Sequence, residues 1–228
     1  MLLSDAQLAS LRGRLIVSAQ AYPGEPMRHP QTMAQVAVSA VIGGAAAIRV
    51  QGLADIQFTR CAVEVPVIGL FKDGHEGVFI TPTIHHALAV AQAGAHIVAL
   101  DGTRRERPDG KTLLQTISAV HEQTGALVMA DCGSLDDALA AAEAGADLIG
   151  TTLAGYTRER NKTAGPDLEL IASIADAKLG KPLVAEGRVH SPAQARAALD
   201  AGAFSVVVGT AITHPATITG WFDSAMRG

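Results

Sequence analysis

Aromatic side chains are scarce in this chain: one Trp, two Tyr and five Phe among 228 residues. Its core must therefore be built from small aliphatic residues, and the abundant Ala and 23 Gly suit helices packed closely on strands. Cysteine is nearly absent. Cys61 and Cys132 form no metal or redox motif, which points to reduced thiols in a cytoplasmic protein. There is no basic surplus either, and a formal net charge of −4 with a pI near 6.0 argues against nucleic acid or an anionic membrane as partner. No apolar run approaches membrane-spanning length. The N-terminal MLLSDAQLASLRGR lacks a basic start followed by an apolar segment, so it does not read as a secretory signal. No linker-like stretch or charge run interrupts the sequence, so residues 1–228 read as one domain. The eight His show no metal-ligand spacing, and no metal is expected.

What is present is repetition. IGGAAAIRV (42–50), QAGAHIVAL (92–100), EAGADLIGT (143–151) and DAGAFSVVV (200–208) share one phrase: a helical stretch ends at glycine, a small residue follows, and an apolar run begins. Glycine supplies a left-handed helix cap, and alanine lets helix and strand approach closely. Gly44, Gly94, Gly145 and Gly202 stand 50, 51 and 57 residues apart, room for two βα units per repeat. Eight strands follow, and the expected fold is an α/β protein with a single (β/α)8 TIM barrel. The strands are predicted at 15–20, 47–51, 67–72, 96–101, 126–131, 147–151, 182–186 and 205–209. Helical patterns lie at 31–43, 52–62, 83–93, 111–124, 134–144, 167–179, 191–201 and 214–226. Loops after strands 3, 4 and 6 (DGHEGVFITPT, GTRRERPDGK and TLAGYTRERNKTAGPD) are long, which marks that end as the functional rim.

Polar residues sit where the strands stop: Gln20, Arg49, Lys72, Asp101, Asp131 and Glu186. Counting back in steps of two places most of them on the face of smaller or apolar partners, Lys72 behind Leu70 and Ile68, Glu186 behind Val184. Inward side chains at a barrel's carboxyl end point into its mouth. Any one alone reads as a solvated strand end; six on one rim do not. Lys72 ends strand 3 and Glu186 ends strand 7, which face each other across a ring of eight. An amine and a carboxyl on opposite faces of a substrate suit two-base proton transfer, and burial would bring both pKa values towards neutrality. Within 182–215 the loops Glu186-Gly187-Arg188 and Gly209-Thr210-Ala211 read as a phosphate cup, because glycine admits a ligand close to the backbone and helix starts attract anions. Two ordinary βα turns remain the alternative. Residues 104–107 (RRER) read as solvated rim, and Trp221-Phe222 as core or as the contact of a homodimer or other homo-oligomer.

Taken together, LIVSAQAYPGEP, AIRV, PVIGLFK, VFITPT, IVALDGTRRERP, MADC, GTTLAGYT, VAEGR and VVVGTAIT resemble the N-acetylmannosamine-6-phosphate 2-epimerases of bacterial amino-sugar and sialic acid catabolism. The likeness runs from about residue 15 to 215. It implies a (β/α)8 barrel that interconverts N-acetyl-D-mannosamine 6-phosphate and N-acetyl-D-glucosamine 6-phosphate without metal or organic cofactor. It implies acid/base roles for Lys72 and Glu186, contacts to the sugar from Gln20, Arg49 and Asp131, and contacts to the phosphate from Gly187, Arg188, Gly209 and Thr210. His214 stands where the family commonly has arginine, and falls in the same phosphate set. Ala19 stands where the family often has Cys. The partner is a small-molecule substrate. A Schiff-base aldolase using Lys72 covalently, and a catalytically silent sugar-phosphate-binding barrel, are the rival readings.

Overall fold

Eight parallel strands close into a barrel in chain order in the computed structural model, which describes residues 3–227. A short helix α1 (Asp5–Ala9) precedes β1 (Leu15–Ala19). Then come α2 (Pro30–Ile42), β2 (Ala47–Gln51), α3 (Leu53–Ala62), β3 (Val67–Leu70), α4 (Ile84–Gln92), β4 (Ile97–Asp101), α5 (Leu113–Thr124) and β5 (Leu127–Asp131). The second half runs α6 (Leu135–Glu143), β6 (Leu148–Gly150), α7 (Leu168–Asp176), β7 (Leu183–Ala185), α8 (Pro192–Asp200), β8 (Ser205–Val208), α9 (Thr210–Thr213) and α10 (Pro215–Arg227). β8 returns to β1 through Leu15↔Val206 and Val17↔Val208, which closes the ring. This is the (β/α)8 barrel that the repeats predict. No helix among the described residues is long and apolar enough to cross a membrane.

The repeated phrase is one cap used four times. Gly44, Gly94, Gly145 and Gly202 have φ of 102°, 109°, 93° and 105°. Each time the amide just beyond reaches back to a carbonyl five residues earlier: Ala45 to Ala40, Ala95 to Val90, Ala146 to Ala141 and Ala203 to Ala198. Only glycine takes that backbone without strain, and the 6→1 bond satisfies a carbonyl the ending helix would orphan.

Strand alternation divides the apolar residues into two cores. Ile48, Val50, Val98, Val128 and Ile149 face outward, where the helices cover them. Ile16, Ala47, Ile68, Leu70, Ile97, Ala99, Met129, Val184 and Val207 face inward and fill the barrel. Leu8 and Leu11, from α1 and the turn after it, join this inner set with Phe204. Sequence periodicity misses α1 because it spans one turn, yet its signature is there. Ser4 Oγ accepts from Gln7 N–H while Gln7 Oε1 accepts from Ser4 N–H, a capping box.

β1, β3, β6, β7 and β8 stop short of their predicted ends at the rim, whereas β2, β4 and β5 end where predicted. Gln20, Lys72, Glu186 and Gly209 each lie past the last ladder residue. Parity survives beyond the ladder, because the chain stays extended for a residue or two after its hydrogen bonds stop. Lys72 is held there by an antiparallel bridge to Ile80. The segment 20–29 after β1 is a long loop that the prediction did not single out, and the expected last helix 214–226 is preceded by a separate turn, α9.

Candidate active site

The carboxyl ends of the strands surround a cavity of about 760 Å³. Of the six rim residues, Gln20, Arg49, Lys72 and Glu186 line it, from strands β1, β2, β3 and β7. Asp131, at the end of β5, lies behind Arg49 and is fully buried. Asp101 departs from the expectation. Its carboxylate takes donors from Thr103 N (3.0 Å), Thr103 Oγ1 (2.6 Å) and Arg105 Nη2 (2.6 Å), so its own loop consumes it. A buried carboxylate has to be satisfied, and the segment after β4 supplies the donors. The loop 104–107 is solvated rim only in part: Arg104 and Glu106 are exposed, Arg105 is half-buried on Asp101, and Arg107 is buried. Arg107 is 4% exposed and donates to the Asp101 carbonyl, while Arg104 pairs with Asp137 and Glu159.

Arg49 organises the floor. It is 1% exposed, grips Asp131 with both ends of its fork at 3.0 and 2.6 Å, and reaches Glu186 Oε2 at 2.9 Å. Burial works against its charge, but Asp131 and Glu186 outweigh burial, so the guanidinium holds its proton more firmly than usual. Thr152 Oγ1 stands 2.7 Å from Asp131 Oδ1 and 3.0 Å from Glu186 Oε2. Burial pushes the Glu186 carboxyl up from the ordinary range, with Arg49 opposing and Asp131 adding to the rise. Opposite it, Lys72 Nζ donates to Gln20 Oε1 at 3.0 Å, and Gln20 Nε2 donates to Ser18 Oγ at 2.8 Å. Burial, then the like charge of Arg49, depress the Lys72 ammonium to about 8 against the pull of Glu186 and Asp131. Its Nζ also lies 5.3 Å above the Tyr22 ring. A lysine that is partly neutral at ordinary pH and a carboxyl that resists ionisation are matched for proton exchange.

Gly187, Arg188, Gly209, Thr210 and His214 all line the same cavity. Gly187 has φ 113° and Arg188 φ 56°, so the turn after β7 is left-handed at two successive residues. Arg188 spends its guanidinium on the β6–α7 loop: Nη1 donates to Ala154 O (2.8 Å), Nε to Gly165 O (3.2 Å) and Nη2 to Thr163 Oγ1 (3.0 Å). His214 has Nε2 3.1 Å from Gln20 O and Nδ1 3.3 Å from Glu25 Oε1, with Tyr22 edge-on to its ring. The first amides of the α9 turn have no acceptor within that turn. Four Lys and Arg side chains line the cavity against the single carboxylate of Glu186, so an acidic chain opens on a basic mouth. Such focusing draws in anions. Among the described residues no group of His, Cys, Asp and Glu could hold a metal ion.

The sequence reading missed Ser18, Tyr22, Arg28, Thr152 and Tyr156, which also line the cavity. Thr152 was within reach, in step with Leu148 and Gly150 along β6. Tyr22 and Arg28 sit in an irregular loop that gives periodicity nothing to act on.

Fold and cavity together define a (β/α)8-barrel enzyme with its chemistry at the carboxyl ends of the strands. The NanE family model, described as "Putative N-acetylmannosamine-6-phosphate epimerase", matches residues 33–228. A Cutibacterium acnes protein named "Putative N-acetylmannosamine-6-phosphate 2-epimerase" is 59% identical over 98% of both chains. A relative of the same name from Corynebacterium glutamicum (strain R) is 46% identical over 96% of this chain and 95% of its own. The solved N-acetylmannosamine-6-phosphate 2-epimerase of Clostridium perfringens superposes with a TM-score of 0.93 at 35% identity, covering 99% of each chain. The chain belongs to the N-acetylmannosamine-6-phosphate 2-epimerase family.

Proposed function

We propose that this chain inverts C2 of N-acetyl-D-mannosamine 6-phosphate to give N-acetyl-D-glucosamine 6-phosphate, as a step in amino-sugar and sialic acid catabolism. One observation carries the reading: Lys72 and Glu186 enter one cavity from opposite sides of the ring, with the lysine's pKa lowered and the carboxyl's raised. In the open-chain aldehyde, the hydrogen on C2 is acidified by the neighbouring carbonyl. Neutral Lys72 takes that proton, and the C–H electron pair moves onto the C1 oxygen as an enolate. The nearby guanidinium of Arg49 stabilises this charge in a dry setting. Glu186 then delivers its own proton to C2 from the other face. The reverse reaction exchanges the two roles.

Gln20 holds Lys72 on station, and Asp131 acts on the sugar through Arg49, whose orientation it fixes. The phosphate lies against the turn Gly187-Arg188 and the α9 start at Gly209-Thr210, with His214 beside it. Arg188's present partners are two carbonyls and a hydroxyl, and a dianion outcompetes neutral acceptors for a guanidinium. The protein works as a cytoplasmic homo-oligomer. Helix α10 supports this part: it buries no residue, and it leaves Trp221 38%, Phe222 69% and Met226 86% exposed. That is more apolar surface than a lone helix keeps in water without a partner.

Incubating N-acetyl-D-mannosamine 6-phosphate with the protein in heavy water and following C2 by proton NMR tests the activity. Loss of the C2 proton signal as the second epimer grows is expected. Epimer formation with the original hydrogen retained, or no epimer at all, would overturn the proton-transfer reading.

A further inference from the structure

Two consecutive threonines past β6 hold Glu186. Thr151 fixes its backbone, with Oγ1 donating to the Glu186 carbonyl at 2.9 Å and accepting from its amide at 3.0 Å. Thr152 addresses the side chain, and its contacts raise a question of proton inventory. Its oxygen lies 2.7 Å from Asp131 Oδ1 and 3.0 Å from Glu186 Oε2. A hydroxyl has one proton to give, and lone pairs with which to receive. Were both neighbours carboxylates, one contact would set a lone pair against a negative oxygen with little water to screen it.

Asp131 is the better claimant. Its contact is the shorter, and both its oxygens already accept from the Arg49 fork, so it has no proton to offer. The remaining contact is then made by a proton on Glu186. Oε2 of a protonated Glu186 still has a lone pair for Arg49 Nη1 at 2.9 Å. We propose that Thr152 is a positioning residue: with its own proton committed to Asp131, its oxygen accepts the proton of Glu186 and holds that carboxyl as an acid at the cavity wall. This rests on Lys72 and Glu186 being the proton-transfer pair. When Glu186 gives its proton to C2, the carboxylate left behind receives the Thr152 O–H, which swings across from Asp131 about a single bond. No atom is gained or lost at Thr152, and the next proton bound by Glu186 turns it back.

The other charged or titratable groups acting on Glu186 are Arg49 from β2, Lys72 beyond β3, Asp131 from β5 and Tyr22 from the β1–α2 loop. A change at Thr152 leaves all four side chains in place. Thr152→Val keeps the shape and removes the hydroxyl; Thr152→Ser keeps the hydroxyl. Thermal melting checks that both fold. The readouts are kcat/KM against pH and a carbon-13 NMR titration of the glutamate carboxyls, with Glu186 assigned by its loss in Glu186→Gln.

In Thr152→Val the Glu186 titration and the acid limb of kcat/KM should move to lower pH by about half to one unit, the worth of one neutral hydrogen bond. Turnover should fall, and Thr152→Ser should restore both. A move to higher pH would mean that the hydroxyl stabilises the ionised Glu186 more than the protonated one, and an unmoved limb that it only fills space. Either overturns the inference. Glu186→Gln keeps the two failures apart. If it turns over like the wild type, the pair itself is misassigned; if it is inactive while Thr152→Val leaves the limb in place, only the role of Thr152 falls.

Discussion

Replacing Arg49 by Met should separate what this guanidinium does for the fold from what it does for the chemistry. The substitution keeps most of the side-chain length and removes the charge. Asp131, fully buried, would then keep one hydroxyl contact from Thr152 and no counter-ion. Removing one partner of a buried pair costs about 3–5 kcal/mol. At about 2–4 °C per kcal/mol for a chain of this size, the melting temperature should fall by about 6–20 °C. Asp131→Leu on top of Arg49→Met removes the stranded charge, and should recover most of that loss without restoring turnover. The chemistry reports independently. In the wild type kcat/KM should decline on the alkaline side near pH 8, as the pair loses its last proton from Lys72. Burial, then Arg49, hold the Lys72 pKa down. Without the guanidinium the ammonium survives to higher pH, so the alkaline limb of the residual kcat/KM should shift upward. Scanning calorimetry and a pH series of initial rates suffice. An Arg49→Met protein as stable as the wild type, or an alkaline limb that stays put, would refute this account of the floor.

Arg188→Ala should raise KM for the phosphorylated sugar by about one to two decades while lowering kcat less, since the phosphate is remote from C2. An unchanged KM would leave Arg188 as a loop fastener alone. Replacing Trp221 and Phe222 together by Ser should convert the protein to a monomer in sedimentation analysis, with the barrel's melting temperature little changed. A wild-type protein that already sediments as a monomer would remove the case for an α10 interface.

The barrel was legible because its signals are local and repeated: a glycine cap, a small residue and an apolar run, four times over. Lys72 and Glu186 were legible for the same reason, since a period of two carries from Ile68 and Val184 past the last ladder bond to the rim. What failed to show is what depends on distant partners. Asp101 and Asp131 close β4 and β5 respectively, each two residues beyond an inward one, and nothing in either strand says that one belongs to its own loop and the other to Arg49, 82 residues away. The resemblance implies a phosphate contact for Arg188, but not the acceptors that hold it, which come from a loop 23–34 residues earlier that alternation does not constrain. Thr152 lay in plain step with β6, but a lone threonine carries no mark of the two carboxylates that converge on it. Helix α10 shows the limit in the other direction. Its apolar side is obvious in sequence, and only the fold reveals how little of it the barrel covers: Trp221 meets His190 and Ile218 is half-buried, while Phe222 and Met226 stay exposed.

The apolar filling beneath the mouth has a consequence for the catalytic cycle as a whole. Ile80, Leu153 and Val207 belong both to the inner core and to the cavity lining, so the polar floor of Arg49, Asp131 and Thr152 rests on hydrocarbon. With Lys72 and Glu186 as the proposed pair, each turnover leaves a proton on one side of the ring and a vacancy on the other, and the protein that releases product is not yet the protein that bound substrate. On that scheme the proton is exchanged back between substrates, while the mouth is empty. The two epimers are then served by two differently protonated forms of one polypeptide, and the idle interval between substrates becomes part of the reaction path.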